Sequence, residues 1–221
     1  MTTLTNTPVG PLLERLFAEA SSTPIPAMAA FAALLPAERA RMMGSKTEYR
    51  ELYAQLKEAA IPVSRATGAL LYMLARSTQA SAIVEFGTSF GISTLHLAAA
   101  LRDNGGGRLI TTEFEPSKAQ RARANLDAGG LLDLVEIREG DALETLRADL
   151  PEWIDLLLLD GAKALYADVL RLVEQRLRPG ALIVADNADY CPEYLALVRA
   201  PQSGYLSLPF GGDVELSMKC G

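Results

Sequence analysis

The sequence predicts an α/β fold with a seven-stranded, mostly parallel sheet, a C-terminal antiparallel hairpin and an N-terminal helical cap. From residue 80 onward, short β-type runs alternate with helical segments five times, which is typical of a parallel sheet covered by helices on both faces. Runs such as Ile154–Leu159 are almost entirely apolar, as strands buried on both faces must be. The last two runs are joined by too few residues for a helix, so we expect them to pair as a hairpin.

Residues 1–79 show only helical patterns, and we expect them to form the cap of a single domain whose α/β core spans residues 80–221. Apolar residues recur at helical spacing from Pro11 to the breaker cluster at residues 21–24. Further helices are predicted at 27–35, 48–59 and 64–77, with Pro36, Gly44 and Pro62 as breakers. Their apolar faces need a partner, and the sequence leaves open whether they roof the site or build a homodimer.

In the core, the predicted strands are residues 82–86, 108–112, 134–138, 154–159, 181–185, 204–208 and 214–219. Helices are predicted at 93–102, 117–128, 142–149, 164–177 and 193–199. Sheets of this kind bind ligands beyond the carboxyl ends of their strands. The candidate residues for chemistry are therefore the polar residues and glycines that end these strands: Glu85, Gly87, Glu113, Asp141, Asp160, Asp186 and Asn187.

Composition argues against several classes of protein. The net charge is -6 with scattered Lys and Arg, which gives a nucleic-acid partner no support. No apolar run reaches the roughly 18–20 residues of a membrane span, and the N-terminus lacks the pattern of a signal peptide. Cys191 and Cys220 have no metal-binding spacing. We therefore expect a reduced, cytoplasmic protein.

The first strand ends in VEFGTSFGIS, where Gly87 and Gly91 frame the turn into a helix. This spacing is looser than the Gly-x-Gly-x-x-Gly of dinucleotide sites, and it suits a nucleoside that carries an amino acid. Ser93 can hydrogen-bond the carboxylate of such a ligand from the first helical turn. The alternative is an ordinary strand–helix turn without a ligand.

Glu113 ends the second strand, where a carboxylate can accept both hydroxyl hydrogens of a ribose. Glu115 is the rival candidate, but Pro116 begins the next helix, which favours Glu113 for the site. Asp141 follows the third strand and can contact an adenine amino group, cap the next helix, or do both.

Asp160 ends the fourth strand, and Asp186 and Asn187 end the fifth. A carboxylate beside an apolar strand is costly unless it is paired, hydrated or bound to a metal, and this set of hard oxygens suits Mg²⁺ or another divalent cation. The alternative is a helix cap at Asp160 and a turn at residues 186–187. Lys163 faces the same rim, where nearby cations would push it toward the neutral form that a general base requires; otherwise it is a solvated lysine at a helix start.

Three further residues are weaker candidates. Tyr166 either flanks the substrate or packs as an aromatic side chain. His96 is predicted to pack or to lie on a helix surface, and Trp153 to pack in the core or at a helix cap; neither is expected to take part in the chemistry.

The motifs VEFGTSFGIS, LITTEFEP, LLLLDGAK and LIVADN resemble those of the cation-dependent O-methyltransferases, the group that contains the catechol and caffeoyl-CoA enzymes. The resemblance spans about residues 61–218. It implies a Rossmann-like class I methyltransferase fold, S-adenosylmethionine (SAM) as cofactor and Mg²⁺ or another divalent cation. The implied reaction is methyl transfer to a small catechol-like or other vicinal-oxygen phenolic acceptor.

The resemblance also assigns roles to individual residues. Lys163 matches the catalytic lysine, and the metal ligands match Asp160, Asp186 and Asn187. The cofactor-binding set it implies, together with the strand-end residues, is Val63, Glu85, Gly87, Ser93, Glu113, Asp141 and Asp160. The family's late acidic residue, which contacts the second hydroxyl of the substrate, has no match near residues 205–212, so the acceptor stays open.

Three alternatives remain at this point. A metal-independent SAM methyltransferase would keep the fold without the cation. An NAD-dependent oxidoreductase could use Glu113 equally well for its ribose. A SAM-binding module without catalysis would keep only the nucleoside site.

Overall fold

A computed structural model describes residues 2–22 and 26–221. Its strands are β1 (Ala82–Phe86), β2 (Arg108–Glu113), β3 (Val135–Glu139), β4 (Ile154–Leu159), β5 (Leu177–Ala185), β6 (Tyr205–Phe210) and β7 (Val214–Lys219). They form one sheet in the order β3-β2-β1-β4-β5-β7-β6. β1 to β5 pair in parallel, whereas β7 is antiparallel to both β5 and β6. The predicted sheet and C-terminal hairpin are confirmed.

The helices are α1 (Val9–Ser22), α2 (Pro26–Ala33), α3 (Pro36–Met43), α4 (Tyr49–Gln55), α5 (Arg65–Ser77), α6 (Ile92–Asp103), α7 (Pro116–Ala128), α8 (Ala142–Thr145), α9 (Tyr166–Val173) and α10 (Pro192–Arg199). α3 was not predicted, because Pro36 can equally mark the end of a helix. Proline suits the first helical position, where its missing N–H costs no hydrogen bond. α4, α8 and α9 are shorter than predicted, and β5 begins at Leu177, where the sequence predicted the end of a helix. Residues 23–24 of the predicted breaker cluster lie outside the described residues.

The sheet is covered on both faces, as its apolar strands predicted. Along β4, Leu156 and Leu158 point into a core shared with α5, α6 and α7. Leu157 and Leu159 point into the opposite core, shared with α9 and α10. All four leucines are fully buried, and each contributes roughly 1.5–3 kcal/mol through the burial of its apolar surface.

Strand register brings the predicted site residues to one rim. Phe86 at the end of β1 pairs with Thr112 of β2 and with Leu159 of β4. Leu159 in turn pairs with Ala185 of β5. Gly87, Asp160 and Asp186 therefore leave the sheet side by side.

The N-terminal helices separate into two groups. Leu12, Leu13 and Leu16 of α1 join the core under α6, so α1 is part of the packing of one sheet face. The other helices, α2 to α4, surround a small cluster of their own around Leu52 and Leu56. In the described ranges, no helix is long and apolar enough to cross a bilayer.

The predictions for His96 and Trp153 have different outcomes. His96 is buried, its Nδ1 lies 2.8 Å from the Ile92 carbonyl oxygen, and its ring packs edge-on against Phe17. Its predicted packing role is confirmed. Trp153 is 53% exposed, so the prediction that it packs was wrong.

Candidate active site

One cleft at the carboxyl ends of β1, β2 and β4 gathers most of the predicted site residues. Those that line it are Gly87, Glu113, Asp141, Asp160, Lys163 and Asn187. Its other wall is apolar and comes mainly from the α2–α4 region, with Met28, Phe31, Met43, Tyr53, Leu56 and Ile61. The empty volume is about 1070 Å³, part of it open to solvent.

Gly87 allows the ends of β1 and β4 to touch. Its φ is +102°, and a Cβ there would lie 2.6 Å from both the Asp160 carbonyl oxygen and the Gly161 nitrogen. The Asp160 N–H donates to the Phe86 carbonyl at 2.8 Å. Only glycine combines this backbone conformation with so close an approach.

Glu85 is fully buried behind the Gly87 turn. Its carboxylate accepts hydrogen bonds from Ser93 Oγ at 2.5 Å and Thr94 Oγ1 at 2.6 Å. Burial raises the pKa of Glu85 to about 7, although these hydroxyls oppose the shift. Glu85 therefore braces the first turn of α6 against β1 and does not line the cleft.

The remaining methionine-end candidates lie beside the cleft. Ser93 lines a smaller adjoining pocket together with Gly87 and Asp160. Val63 is buried and lines neither pocket, while its neighbours Ile61 and Pro62 do. Direct cofactor contacts by Val63 and Glu85 stay predictions.

Glu113 is held by the backbone on both carboxylate oxygens. Oε2 accepts the Ser89 N–H at 2.7 Å, and Oε1 accepts the Glu115 N–H at 2.9 Å. Burial raises the pKa of Glu113, against the effect of these N–H groups and of Lys118. Each oxygen keeps capacity to accept a further hydrogen bond from the cleft. The rival, Glu115, also lines the cleft and begins α7 without a side-chain cap.

Asp141 has two partners on opposite sides. Its Oδ1 caps α8 by accepting the Leu143 N–H at 2.9 Å, so the capping alternative is confirmed. Its Oδ2 accepts Arg50 Nη2 of α4 at 2.6 Å. The Arg50 guanidinium also lies 5.7 Å from the centroid of the Phe114 ring. Arg50 therefore links α4 to the nucleoside side of the cleft.

Lys163 is the centre of a buried polar network. Its Nζ donates to Asp160 Oδ1 at 3.0 Å and to Tyr166 Oη at 2.7 Å, and Tyr166 Oη donates to the Asp186 carbonyl at 2.9 Å. Burial acts to lower the pKa of Lys163, but Asp160 and the other acidic neighbours outweigh it and hold this pKa above its usual value. The lowering expected from the sequence therefore requires compensating positive charge beside those carboxylates.

The Tyr166 side chain lies in the hydrophobic core next to Lys163. Its ring is fully buried and packs edge-on against Phe86 and Tyr194, with centroids 6.2 and 6.0 Å away. Of the two alternatives in the sequence, aromatic packing is the one the structure shows. Its hydroxyl adds a positioning role for Lys163 that the sequence did not indicate.

Asp186 and Asn187 follow β5 beside Asp160. Burial and the neighbouring Asp160 carboxylate raise the pKa of Asp186 to about 7. Asn187 has a positive φ of 51°, and its Nδ2 donates to Asp213 Oδ2, which leaves the amide oxygen as an acceptor. Asp213 lies one residue beyond residues 205–212, the segment that has no match for the late acidic residue of the family.

These residues fit a divalent cation by their chemistry. Within residues 2–22 and 26–221, no cluster of three His, Cys, Asp or Glu side chains has the arrangement of a metal site. The predicted set therefore depends on two carboxylates and an amide. Asp160 and Asp186 are buried hard-oxygen donors whose mutual repulsion a cation would relieve.

Three residues were not predicted: Tyr53 and Lys118, which line the cleft, and Asp213, which bonds the cleft residue Asn187. Tyr53 donates to the Gly161 carbonyl at 3.4 Å, and Lys118 is a buried lysine in the cleft wall. Tyr53 and Lys118 occur in helical segments with no motif around them, so their patterns matched those of ordinary surface helices. Only the Gly-Gly-Asp turn at Asp213 offered a signal.

Comparisons with known proteins agree with this geometry. A model of the methyltransferase domain matches residues 84–188. The catechol O-methyltransferase of Niastella koreensis is 41% identical over 131 residues, 58% of this chain and 58% of that protein. The catechol O-methyltransferase of Mycobacterium tuberculosis is 37% identical over 127 residues, 58% of this chain and 57% of that protein. The matches thus span less than two thirds of these relatives.

Solved structures share the whole fold. The O-methyltransferase of Bacillus cereus, solved in complex with SAH, superposes with a TM-score of 0.67 over 91% of this chain and 100% of that chain, at 23% identity. This likeness confirms the fold class that the sequence predicted.

Proposed function

We propose that the chain is a cation-dependent O-methyltransferase, which transfers the methyl group of SAM to a small phenolic acceptor with two adjacent oxygens, assisted by Mg²⁺ or another divalent cation. The match to a methyltransferase domain and the similarity to catechol O-methyltransferases support this proposal. One observation carries the proposal. Lys163 and the Asp160 carboxylate line the same cleft as the Gly87 turn and Glu113.

The nucleoside end of the donor would lie between Gly87 and Asp141. Backbone N–H groups hold the Glu113 carboxylate where it can accept hydrogen bonds from the ribose hydroxyls. The Asp141 carboxylate can accept a hydrogen bond from the adenine amino group while it also bonds Arg50. Ser89 Oγ lines the same cleft and is buried without a hydrogen-bond partner in the described chain. Such an orphan polar atom is expected where a bound ligand completes the site.

The acceptor would lie between the α2–α4 wall and the strand ends. Met28, Phe31 and Tyr53 provide apolar surface for a flat ring. Lys163 and Asn187 provide polar groups at the opposite side. A phenolic ring with adjacent oxygens matches this division, because its apolar faces and its polar edge are separate.

The chemistry needs a deprotonated acceptor oxygen aligned with the methyl group. Ionising a phenol of pKa ~10 at pH 7 costs roughly 4 kcal/mol. When bound, SAM supplies the electrophilic methyl group, and a divalent cation held by Asp160, Asp186 and Asn187 supplies Lewis-acid stabilisation of the developing charge.

Proton transfer and alignment depend on the protein itself. Bound positive charge would offset the acidic neighbours that raise the pKa of Lys163, and its Nζ, then neutral, would accept the phenolic proton. Asp160 and Tyr166 hold this Nζ at the strand ends. The rigid sheet aligns the two reactants, which can lower the barrier by several kcal/mol.

The test is a methyl-transfer assay with SAM and a panel of vicinal diphenols, after EDTA treatment and with Mg²⁺ restored. We expect activity only with the cation, and its loss in Lys163→Met. Lys57→Met, an exposed lysine of the cap region, is the matched control and should keep full activity. Activity that survives EDTA would favour the metal-independent alternative, and SAM binding without turnover on any phenol would favour the non-catalytic one.

Two further expectations concern organisation. We propose that residues 1–221 act as one domain, with the cap as part of the active site, and that the chain forms a homodimer in the cytoplasm. Light scattering of the purified protein tests the dimer, and a monomer at micromolar concentration would count against it.

A further inference from the structure

Lys118 is a buried charged residue that the proposed mechanism does not use. It lies in the first turn of α7, is only 4% exposed and lines the cleft. Its Nζ is 5.8 Å from the centroid of the Phe90 ring. Most lysines at a helix surface extend into solvent, so its position needs an explanation.

The surroundings of Lys118 contain charge but no partner. Burial lowers the pKa of Lys118, whereas the charges of Glu113, Glu115 and Asp160 oppose that shift, and no hydrogen bond contributes to it. Throughout the part of the chain that the structure describes, Lys118 Nζ has no ion pair within 4.0 Å. A buried ammonium group without a partner is costly, which points to a ligand that completes its bonding.

Glu113 indicates which ligand group this is. Both of its oxygens are fixed by backbone N–H groups, and what remains is acceptor capacity toward the cleft. A ribose hydroxyl that donates its hydrogen to Glu113 still has lone pairs to be satisfied. Lys118 is the neighbouring donor, with three N–H bonds and no acceptor of its own.

We propose that Lys118 is a further cofactor-binding residue, whose Nζ donates a hydrogen bond to the ribose hydroxyl that Glu113 accepts from. Glu113 and Lys118 then form a complementary acceptor–donor pair around the ribose diol. This inference rests on the proposed function, because it assumes that a SAM-type nucleoside occupies the cleft.

The test is calorimetric titration of the full chain with S-adenosylhomocysteine (SAH) and with its 2′-deoxy and 3′-deoxy forms. SAH has no sulfonium charge, so repulsion between that charge and Lys118 does not enter. Lys118→Met keeps the length and apolar character of the buried stem. We expect it to weaken SAH binding by about 10-fold to 100-fold, the effect of one hydrogen bond to a charged donor.

The deoxy ligands separate direct contact from indirect effects. Wild-type protein should lose affinity for both, and for one of them Lys118→Met should cause little further loss, because the hydroxyl it contacts is already absent. Lys118→Gln, which keeps an N–H donor, should recover part of the affinity. Arg121→Met is the control: its guanidinium lies 4.3 Å from the centroid of the same Phe90 ring but does not line the cleft, and SAH affinity should not change.

Two outcomes overturn the inference. One is unchanged SAH affinity in Lys118→Met. The other is an equal loss for SAH and for both deoxy ligands, which would indicate a structural role. If wild-type protein binds no SAH at all, the proposed function fails instead. Circular dichroism and thermal melting check folding, and if Lys118→Met does not fold, Lys118→Gln carries the same comparison.

Discussion

Tyr166→Phe is the change that most directly tests how this site is built. It removes one oxygen atom and keeps the buried ring with its edge-on contacts to Phe86 and Tyr194. Two hydrogen bonds disappear: the one from Lys163 Nζ at 2.7 Å and the one to the Asp186 carbonyl at 2.9 Å. Lys163 keeps only its contact with Asp160 Oδ1, at 3.0 Å.

The size of the effect follows from those two bonds. A bond to a charged donor is worth about 1.5–3 kcal/mol, and a neutral one about 0.5–1.5 kcal/mol. We expect the free energy of unfolding to fall by about 2–4 kcal/mol. For a chain of this size the melting temperature falls by about 2–4 °C for each kcal/mol. The looser lysine should lower kcat by about 10-fold, which corresponds to about 1.4 kcal/mol in the barrier, with little effect on the KM for SAM.

The assay measures kcat, KM and thermal unfolding in parallel. Tyr194→Phe is the matched control, because Tyr194 is equally buried but its hydroxyl bonds Ser217 Oγ at 3.2 Å, away from Lys163. It should lose some stability and keep its kcat. The reasoning is refuted if Tyr166→Phe keeps the wild-type kcat, or if Tyr194→Phe loses as much.

Three further changes test other parts of the site. Gly87→Ala places a Cβ 2.6 Å from backbone atoms at a φ of +102°. We therefore expect the free energy of unfolding to fall by at least about 1–3 kcal/mol and calorimetry to show weaker SAH binding. If neither value changes, the described turn is contradicted. Arg50→Met cuts the link to Asp141 and should speed SAH release in stopped-flow measurements, while unchanged release would show that α4 does not restrain the nucleoside. Burial raises the pKa of Glu85 from 4.5 to about 7, so the folded state binds this proton more tightly than the unfolded state. Glu85 should therefore contribute a loss of about 3 kcal/mol of unfolding free energy as pH rises from 4.5 to about 7. In urea titrations, the fall in stability over this pH range should be smaller by that amount in Glu85→Gln than in the wild-type protein.

The parallel sheet, its C-terminal hairpin and most element positions could be predicted because the sheet is buried on both faces. Burial makes β1 and β4 short, apolar and bounded by polar residues, so their ends are visible in the sequence. α3 was not visible, because Pro36 has the same signature at a helix start as at a helix break. Trp153 shows the same limit, since an isolated aromatic residue carries no periodic pattern and its exposure depends on its neighbours.

The sequence by itself determined which polar groups meet at the rim. Residues that directly follow parallel strands leave the sheet at the same edge, so Gly87, Asp160 and Asp186 had to share that edge. The strand order β1-β4-β5, which makes them neighbours, was set when the sheet assembled. Their chemistry followed from residue type alone.

Only the tertiary structure decided what each group does there. The Tyr166 hydroxyl bonds Lys163, and two backbone N–H groups hold Glu113. Lys118 has no ion-pair partner among the residues that the structure describes. These features depend on side-chain directions and on contacts between segments far apart in the chain. Helical periodicity identifies a buried face but not the neighbour that buries it. The identity of that neighbour is set when the helices pack on the sheet, and the partners of these charges are set with it.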